Sequence, residues 1–261
     1  MPERTSYEPG TPSWVDLGTS DPDAAKRFYG ELFGWQAEDA GPVEETGGYA
    51  FFVQGGRKVA GVGALQDPQQ PTAWSVYVST GDVDAVARRV RDAGGMVMVE
   101  PMDIMGSGKL AFFGHQAGGM LGAWEPATHI GAELVNEPVS FTWCELHTRD
   151  VEAGRAFATS AFGWRAEDQD FGGTTYTTFY LGDRGIAGMV ALPPGVPDDV
   201  PANWAAFFAV EDCDATVARV KELGGSVLLD PIDAPGVGRF SMVVDPQGAQ
   251  LGVIANANPT T

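Results

Sequence analysis

SWVDLGTSDPDAAKRFYGELFGW, residues 13–35, returns as TWCELHTRDVEAGRAFATSAFGW, residues 142–164. Trp14, Asp21, Phe28 and Phe33-Gly34-Trp35 recur as Trp143, Asp150, Phe157 and Phe162-Gly163-Trp164, each displaced by 129 positions. Working outward, WSVYVSTGDVDAVARRVRDAGG from Trp74 answers WAAFFAVEDCDATVARVKELGG from Trp204, now at a displacement of 130. EPMDIMGSGKLAFFGHQAGGMLG from Glu100 answers DPIDAPGVGRFSMVVDPQGAQLG from Asp230 at the same displacement, and Ala60-Gly61 answers Ala187-Gly188 at 127. A repeat of this length and register makes the chain two copies of one domain, with the small changes of offset falling in loops. The repeats run over about 11–126 and 138–257. We therefore divide the chain into a first domain at 1–126, a linker at 127–137 and a second domain at 138–261.

Each copy contains two smaller units of one plan. In the first, Val15 and Leu17 alternate with Trp14 and Asp16, the period of a strand. Asp21 then caps a helix with Pro22 in its first turn, where a missing N–H costs nothing, and Phe28 and Leu32 share one face. The second unit has a strand at 74–79 and a helix from Asp82 to Ala93, stopped by Gly94-Gly95. Short strands bounded by turn residues follow, at 49–53, 59–64, 97–100, 109–114 and 120–124. The order β-α-β-β-β, twice per domain, predicts an α+β fold. Helices on one face of each mixed sheet leave the other face to curl into a cup.

The chain carries 35 acidic against 16 basic residues, a net charge of −19. Such a surface repels phosphate backbones and anionic membranes, so no nucleic-acid or membrane partner is expected. No window approaches the about 18 apolar residues of a membrane span. The polar start MPERTSYEPGTPS has no signal core, and Cys144 and Cys213 are too few for a disulfide framework. A cytoplasmic protein is expected; the oligomeric state stays open.

The doubled β-α-β-β-β order resembles the vicinal-oxygen-chelate superfamily, which includes glyoxalase I, extradiol dioxygenases and bleomycin-resistance proteins. So do the helix pattern Asp21, Ala25, Phe28-Tyr29, Phe33-Gly34-Trp35 and the closing Asp245-Pro246-Gln247-Gly248. The opening GTPSWVDL and the linker HIGAELVNE are similar to those of two-domain actinobacterial glyoxalase-like proteins. The resemblance implies two tandem domains, each a pair of βαβββ modules forming a cupped mixed sheet.

In the enzymes of that family, the resemblance implies, a divalent metal in the cup is held by His or Gln on the first strand, His on the second module's first strand and Glu on the last strand. Those positions fall here on Trp14 and Trp143, Ser75 and Ala205, and Gly122 and Gly252. Only Ser75 could ligate at all, and weakly, so no metal and no cofactor is expected.

Strand alternation places other residues on the cup faces. Trp14, Asp16, Ser75, Tyr77, Ser79, Met120 and Trp124 face the first cup; Trp143, Glu145, His147, Ala205, Phe207, Ala209, Gln250 and Ile254 face the second. Trp14, Tyr77 and Trp124 could sandwich a flat ring beside Asp16, and Trp143 and Phe207 could do so beside Glu145 and His147. The expected ligand-binding residues are Trp14, Asp16, Tyr77, Trp124, Trp143, Glu145, His147 and Phe207. Asp16, Glu145 and His147 are the candidates for acid–base catalysis, and Gly18 stands where the second copy has His147. His115 is read as a turn residue and His129 as a linker residue that hydrogen-bonds between the domains. Cys144 is read as core, and Cys213 as a helix-opening residue without a base beside it. Two functions stay open. One is metal-independent binding of a small, flat, largely aromatic molecule, of the drug- or polyketide-binding kind. The other is a glyoxalase- or dioxygenase-like enzyme of secondary metabolism using Glu145 and His147.

Overall fold

The computed structural model describes residues 3–67, 69–171 and 173–257. The first domain runs β1 (Pro12–Thr19), α1 (Pro22–Phe33), β2 (Gln36–Asp39), the short α2 (Val43–Thr46), β3 (Ala50–Gln54) and β4 (Arg57–Ala64). Its second module is β5 (Ala73–Ser79), α3 (Val83–Asp92), β6 (Met96–Asp103), β7 (Gly108–His115) and β8 (Gly119–Pro126). The second domain repeats this with β9 (Phe141–Thr148), α4 (Val151–Phe162), β10 (Arg165–Phe171), β11 (Thr174–Leu181) and β12 (Arg184–Ala191). It ends with β13 (Asn203–Ala209), α5 (Cys213–Glu222), β14 (Ser226–Ala234), β15 (Gly238–Val244) and β16 (Gln250–Asn256).

Each domain is one eight-stranded mixed sheet, in the orders β2-β3-β4-β1-β5-β8-β7-β6 and β10-β11-β12-β9-β13-β16-β15-β14. The first strands of the two modules lie side by side and antiparallel at the centre, and each pairs in parallel with the last strand of its own module. Chemistry carried on β1, β5, β9 and β13 is thereby brought to the middle of each cup. The β-α-β-β-β order requires the edge strands β2 and β10, but the sequence assigned them no range; β2 is exposed along its length, so no apolar alternation marks it.

The helices form where caps and faces agree. Asp21 accepts the Ala24 N–H at 2.9 Å, and Gly34 closes α1 in the left-handed region at φ 74°. Ala25, Phe28, Tyr29 and Phe33 make its buried face. The two domains turn these helical faces toward each other, so the cups look outward. Phe208 of β13 packs on Trp74 of β5 and on Trp35, with ring centroids 5.0 and 5.4 Å apart. The Trp35 indole donates to the Val139 carbonyl at 2.8 Å, and its repeat partner Trp164 donates to Gly10 at 2.7 Å. The Tyr29 hydroxyl, which accepts from the Trp74 indole, donates across the seam to Asp245 at 3.0 Å. One continuous apolar core thus serves both domains. Among the described residues, no helix is long and apolar enough to cross a membrane.

Candidate functional site

In the first cup Asp16 stands opposite Gly61 on β4 and Ser75 on β5. Tyr49, just before β3, donates its hydroxyl to Asp16 at 3.2 Å and accepts the Trp14 indole N–H at 3.2 Å. Tyr77 donates to the same carboxyl oxygen at 3.1 Å. A side chain at Gly61 would collide with the Tyr49 hydroxyl, so this approach requires glycine. Burial pushes the Asp16 carboxyl up to about 6, against the opposing pull of bonds from Tyr77, Tyr49 and Ser75. Burial and the Asp16 charge hold both tyrosine hydroxyls well above their usual range.

The slot that Trp14, Tyr77 and Trp124 were expected to leave open contains a residue of the chain itself. His129 comes over from the linker and packs on Trp14, Phe51 and Trp124, with ring centroids at 4.5, 5.2 and 5.5 Å. The Trp124 indole donates to the His129 carbonyl at 2.7 Å. This corrects the expectation of an interdomain hydrogen bond: His129 is 8% exposed, and among the described residues neither ring nitrogen has a hydrogen-bond partner. Burial, with Lys58 nearby, lowers its imidazole to about 4.

The second cup repeats the scaffold with different contents. Tyr176 replaces Tyr49 and accepts from the Trp143 indole at 2.9 Å, again over a glycine, Gly188. It hydrogen-bonds to Glu145, and burial together with that carboxylate raises the Tyr176 hydroxyl far above its usual range. Glu145 in turn meets His147 Nε2 at 2.8 Å. Beside this polar half, Phe207, Met242, Ile254 and Ala205 form a small apolar cluster of their own, flanked by Trp143 and Phe240. In register with Met242 and Phe240, Leu229 and Ile232 extend that wall toward solvent. The structure brings Trp143, Glu145, His147 and Phe207 together on one face; the sequence analysis gave no place in the cups to Tyr49, Tyr176 and His129. The first two had a signal: each accompanies a glycine, Gly61 or Gly188, that recurs at the same offset of 127.

The residues at the family's ligand positions do not fit a divalent metal. Trp14 and Trp143 spend their indole N–H groups on tyrosines. Gly122 and Gly252 lie beneath the rings of Tyr77 and Phe207, which any side chain there would strike. Among the described residues, no group of three or more His, Cys, Asp or Glu is placed to hold a metal. His115 ends β7 and braces the turn that follows: its Nδ1 accepts from the Gly118 N–H at 2.9 Å, as the Asp245 carboxylate accepts from Gln247 and Ala249 in the second copy. Cys144 and Cys213 are buried, and burial pushes the Cys213 thiol up to about 11. Two clefts of about 190 and 120 Å³ follow the seam between the domains rather than the cups.

The chain is 39% identical over 263 residues to the putative glyoxylase CFP32 of Mycobacterium tuberculosis, covering 98% of this chain and 99% of that one. It is also 39% identical over 267 residues to the anthracycline biosynthesis protein DnrV of Streptomyces peucetius, covering 96% and 94% respectively. Among solved structures, a catechol 2,3-dioxygenase superposes with a TM-score of 0.64 at 14% identity, over 98% of this chain and 90% of that one. The Mn(II)-bound glyoxalase of Novosphingobium aromaticivorans gives 0.62 at 19% identity, over 97% and 86%. At such identities the structures speak for the fold alone. The profile of the Glyoxalase/Bleomycin resistance protein/Dioxygenase superfamily matches residues 11–120 and 140–253, once in each repeat, and the chain belongs to that superfamily.

Proposed function

We propose that this chain binds a small, flat, largely aromatic molecule in its second cup, without a metal, as a cytoplasmic protein. The observation that carries the proposal is the composition of that cup. Trp143, Phe207, Phe240, Met242 and Ile254 offer an apolar wall beside a compact polar group of Glu145, His147 and Tyr176. An apolar surface with a few fixed polar groups is how small-molecule sites are normally built, and ring stacking adds about 1 kcal/mol beyond area burial. Anthracyclines are fused planar ring systems, so the likeness to a protein of anthracycline biosynthesis supports a ligand of this shape. In this reading Trp14, Asp16, Tyr77 and Trp124 form the closed counterpart, whose ligand place is taken by His129. The cytoplasmic setting accords with two buried, unbridged thiols.

Titration of the protein with 2-methoxyanthraquinone, followed by tryptophan fluorescence, tests the binding. Saturable quenching that Trp143→Ala weakens tenfold or more is expected. Quenching that is indifferent to Trp143→Ala, or absent both with this compound and with its free phenol, defeats the reading.

The Glu145–His147 contact favours one second reading, an enzyme of secondary metabolism related to glyoxalases or dioxygenases in which that pair acts on the bound molecule. Loss of turnover in Glu145→Gln with binding retained would select it.

A further inference from the structure

His147 and Glu145 lie two residues apart on β9, on the face that Trp143 also shares. Glu145 takes the Tyr176 hydroxyl on one side and His147 Nε2 at 2.8 Å on the other. Facing a carboxylate oxygen, Nε2 is the ring nitrogen placed to donate. That leaves Nδ1 as the ring nitrogen free to accept, and it makes no hydrogen bond among the described residues. Both side chains are largely withdrawn from water, at 17% and 13% exposure, and stand beside the apolar wall.

The charges around this pair are few. Across the sheet His147 faces Val190 on β12 and Asn203 on β13, neither of them charged. The Asn203 amide is turned to the Pro201 carbonyl. Arg149, the next residue of the same parity, is engaged by the carbonyls of Val196 and Pro197 and lies 3.9 Å from Asp198. Glu145 is therefore the charged side chain in contact with His147, placed behind its ring as a carboxylate stands behind a catalytic histidine. Gly18 occupies the matching place in the first cup, so the device exists once per chain.

We propose that the Glu145–His147 pair takes the proton of a phenolic hydroxyl on the ring stacked in the second cup, so that the site selects flat phenols over their methyl ethers. This rests on the binding reading above. The phenolic O–H bond breaks and an N–H bond forms at Nδ1. The electron pair stays on the phenolate oxygen, which remains hydrogen-bonded to the imidazolium, while Glu145 balances the new positive charge. Nothing is oxidised or reduced, and the proton returns on release. Phenols ionise at about pH 10, close enough to imidazole for a low-dielectric ion pair to close the gap, whereas aliphatic alcohols do not. Glu145 acts here as a positioning residue.

The test compares 2-hydroxyanthraquinone with 2-methoxyanthraquinone, following tryptophan quenching and visible absorption together, because the phenolate of the first is red-shifted. The wild-type protein is expected to display the phenolate band at least one pH unit below the ionisation of the free phenol, and to bind the methyl ether at least tenfold more weakly. His147→Gln should bind the phenol in its neutral colour, and Glu145→Gln should lose most of the shift while quenching persists. Quenching by both probes without a colour change, or a shift that survives His147→Gln, overturns this proposal and leaves the binding reading standing. Quenching by neither probe overturns both.

Discussion

His129 stands edge-on to Trp14, with ring centroids 4.5 Å apart and planes at 86°. One residue belongs to the linker and the other to the first strand, so the connection between the domains closes the first cup. The strap is held by its backbone: Ala132 N–H donates to Ser13 at 2.8 Å, Glu133 N–H to Lys58 at 2.7 Å, and the Tyr7 hydroxyl to Ala132 at 2.6 Å. Gly131, at φ 108°, passes so close to the Ser13 carbonyl that only glycine fits. The two cups of one duplicated domain therefore differ by what fills them.

The buried imidazole makes acid stability depend on His129. Its folded value of about 4 lies below the unfolded value of 6.5. Between those limits the unfolded chain holds a proton the folded one lacks, so stability falls as pH drops from 6.5 to 4 and this group takes no more below that. The loss is on the order of 3 kcal/mol. His129→Leu is expected to flatten that part of the curve of melting temperature against pH. At pH 7.5 it should be neutral or stabilising, since two unsatisfied ring nitrogens leave with the side chain. A Leu variant as acid-sensitive as the wild type would refute this.

Asp16 has the opposite sign. Its folded value of about 6 exceeds the unfolded 3.8, so between the two the folded chain holds the extra proton. Stability from this group is present at low pH, declines as pH rises from 3.8 to 6, and stays reduced above, by on the order of 3 kcal/mol. Asp16→Asn keeps an oxygen for Tyr49 and Tyr77 and removes the charge. The variant should melt several degrees above the wild type at pH 8, and the gap should close by pH 4. A gap that does not change with pH would show that Asp16 is not the titrating group.

Much of this architecture was legible in advance. The repeat, the caps at Asp21 and Asp150 and the cup-facing parity of Trp143, Glu145 and His147 are all local patterns, and local patterns are what sequence carries. Tyr49 and Tyr176 were marked only indirectly, by the recurring Gly61 and Gly188, because they reach Asp16 and Glu145 across the sheet from the start of β3 and from β11, two places away in the strand order. The path of His129 depends on Gly131 and the Lys58–Glu133 bonds, which become visible only once β4 lies beside the linker. The range of β2 was missed for the plainest reason: with both faces in water, it has no burial pattern to read.

Gly252 and Phe207 form a packed pair in which the ring covers the Cα where the family's metal-bound glutamate would begin. Gly252→Ala is expected to cost about 1–3 kcal/mol through overpacking, read as a lower urea midpoint with unchanged slope. Phe207→Ala should relieve that strain, so the double variant should be more stable than the sum of the two single effects predicts. Strict additivity would mean that the ring moves aside freely. By the same geometry, Gly252→Glu alone should not create manganese binding, measured by elemental analysis after dialysis.

The seam between the domains supplies the last test. Tyr29 on α1 accepts from Trp74 and donates to Asp245 in the turn before β16, and all three are buried. Burial and the Asp245 carboxylate hold the Tyr29 hydroxyl protonated far beyond its usual range. Tyr29→Phe leaves the Trp74 N–H and an Asp245 oxygen without this partner, at a cost of about 1–3 kcal/mol. Because Phe208 of the second domain packs among Phe33, Trp35 and Trp74 of the first, that loss must be felt by both repeats together. Thermal unfolding of the wild type is thus expected to be a single transition, and that of Tyr29→Phe a single transition a few degrees lower. Hydrogen exchange should show protection falling in parallel on β5 and β13. A variant that melts in two steps, with the second domain unaffected, would show that each repeat keeps its own core and that the shared aromatic seam carries no coupling.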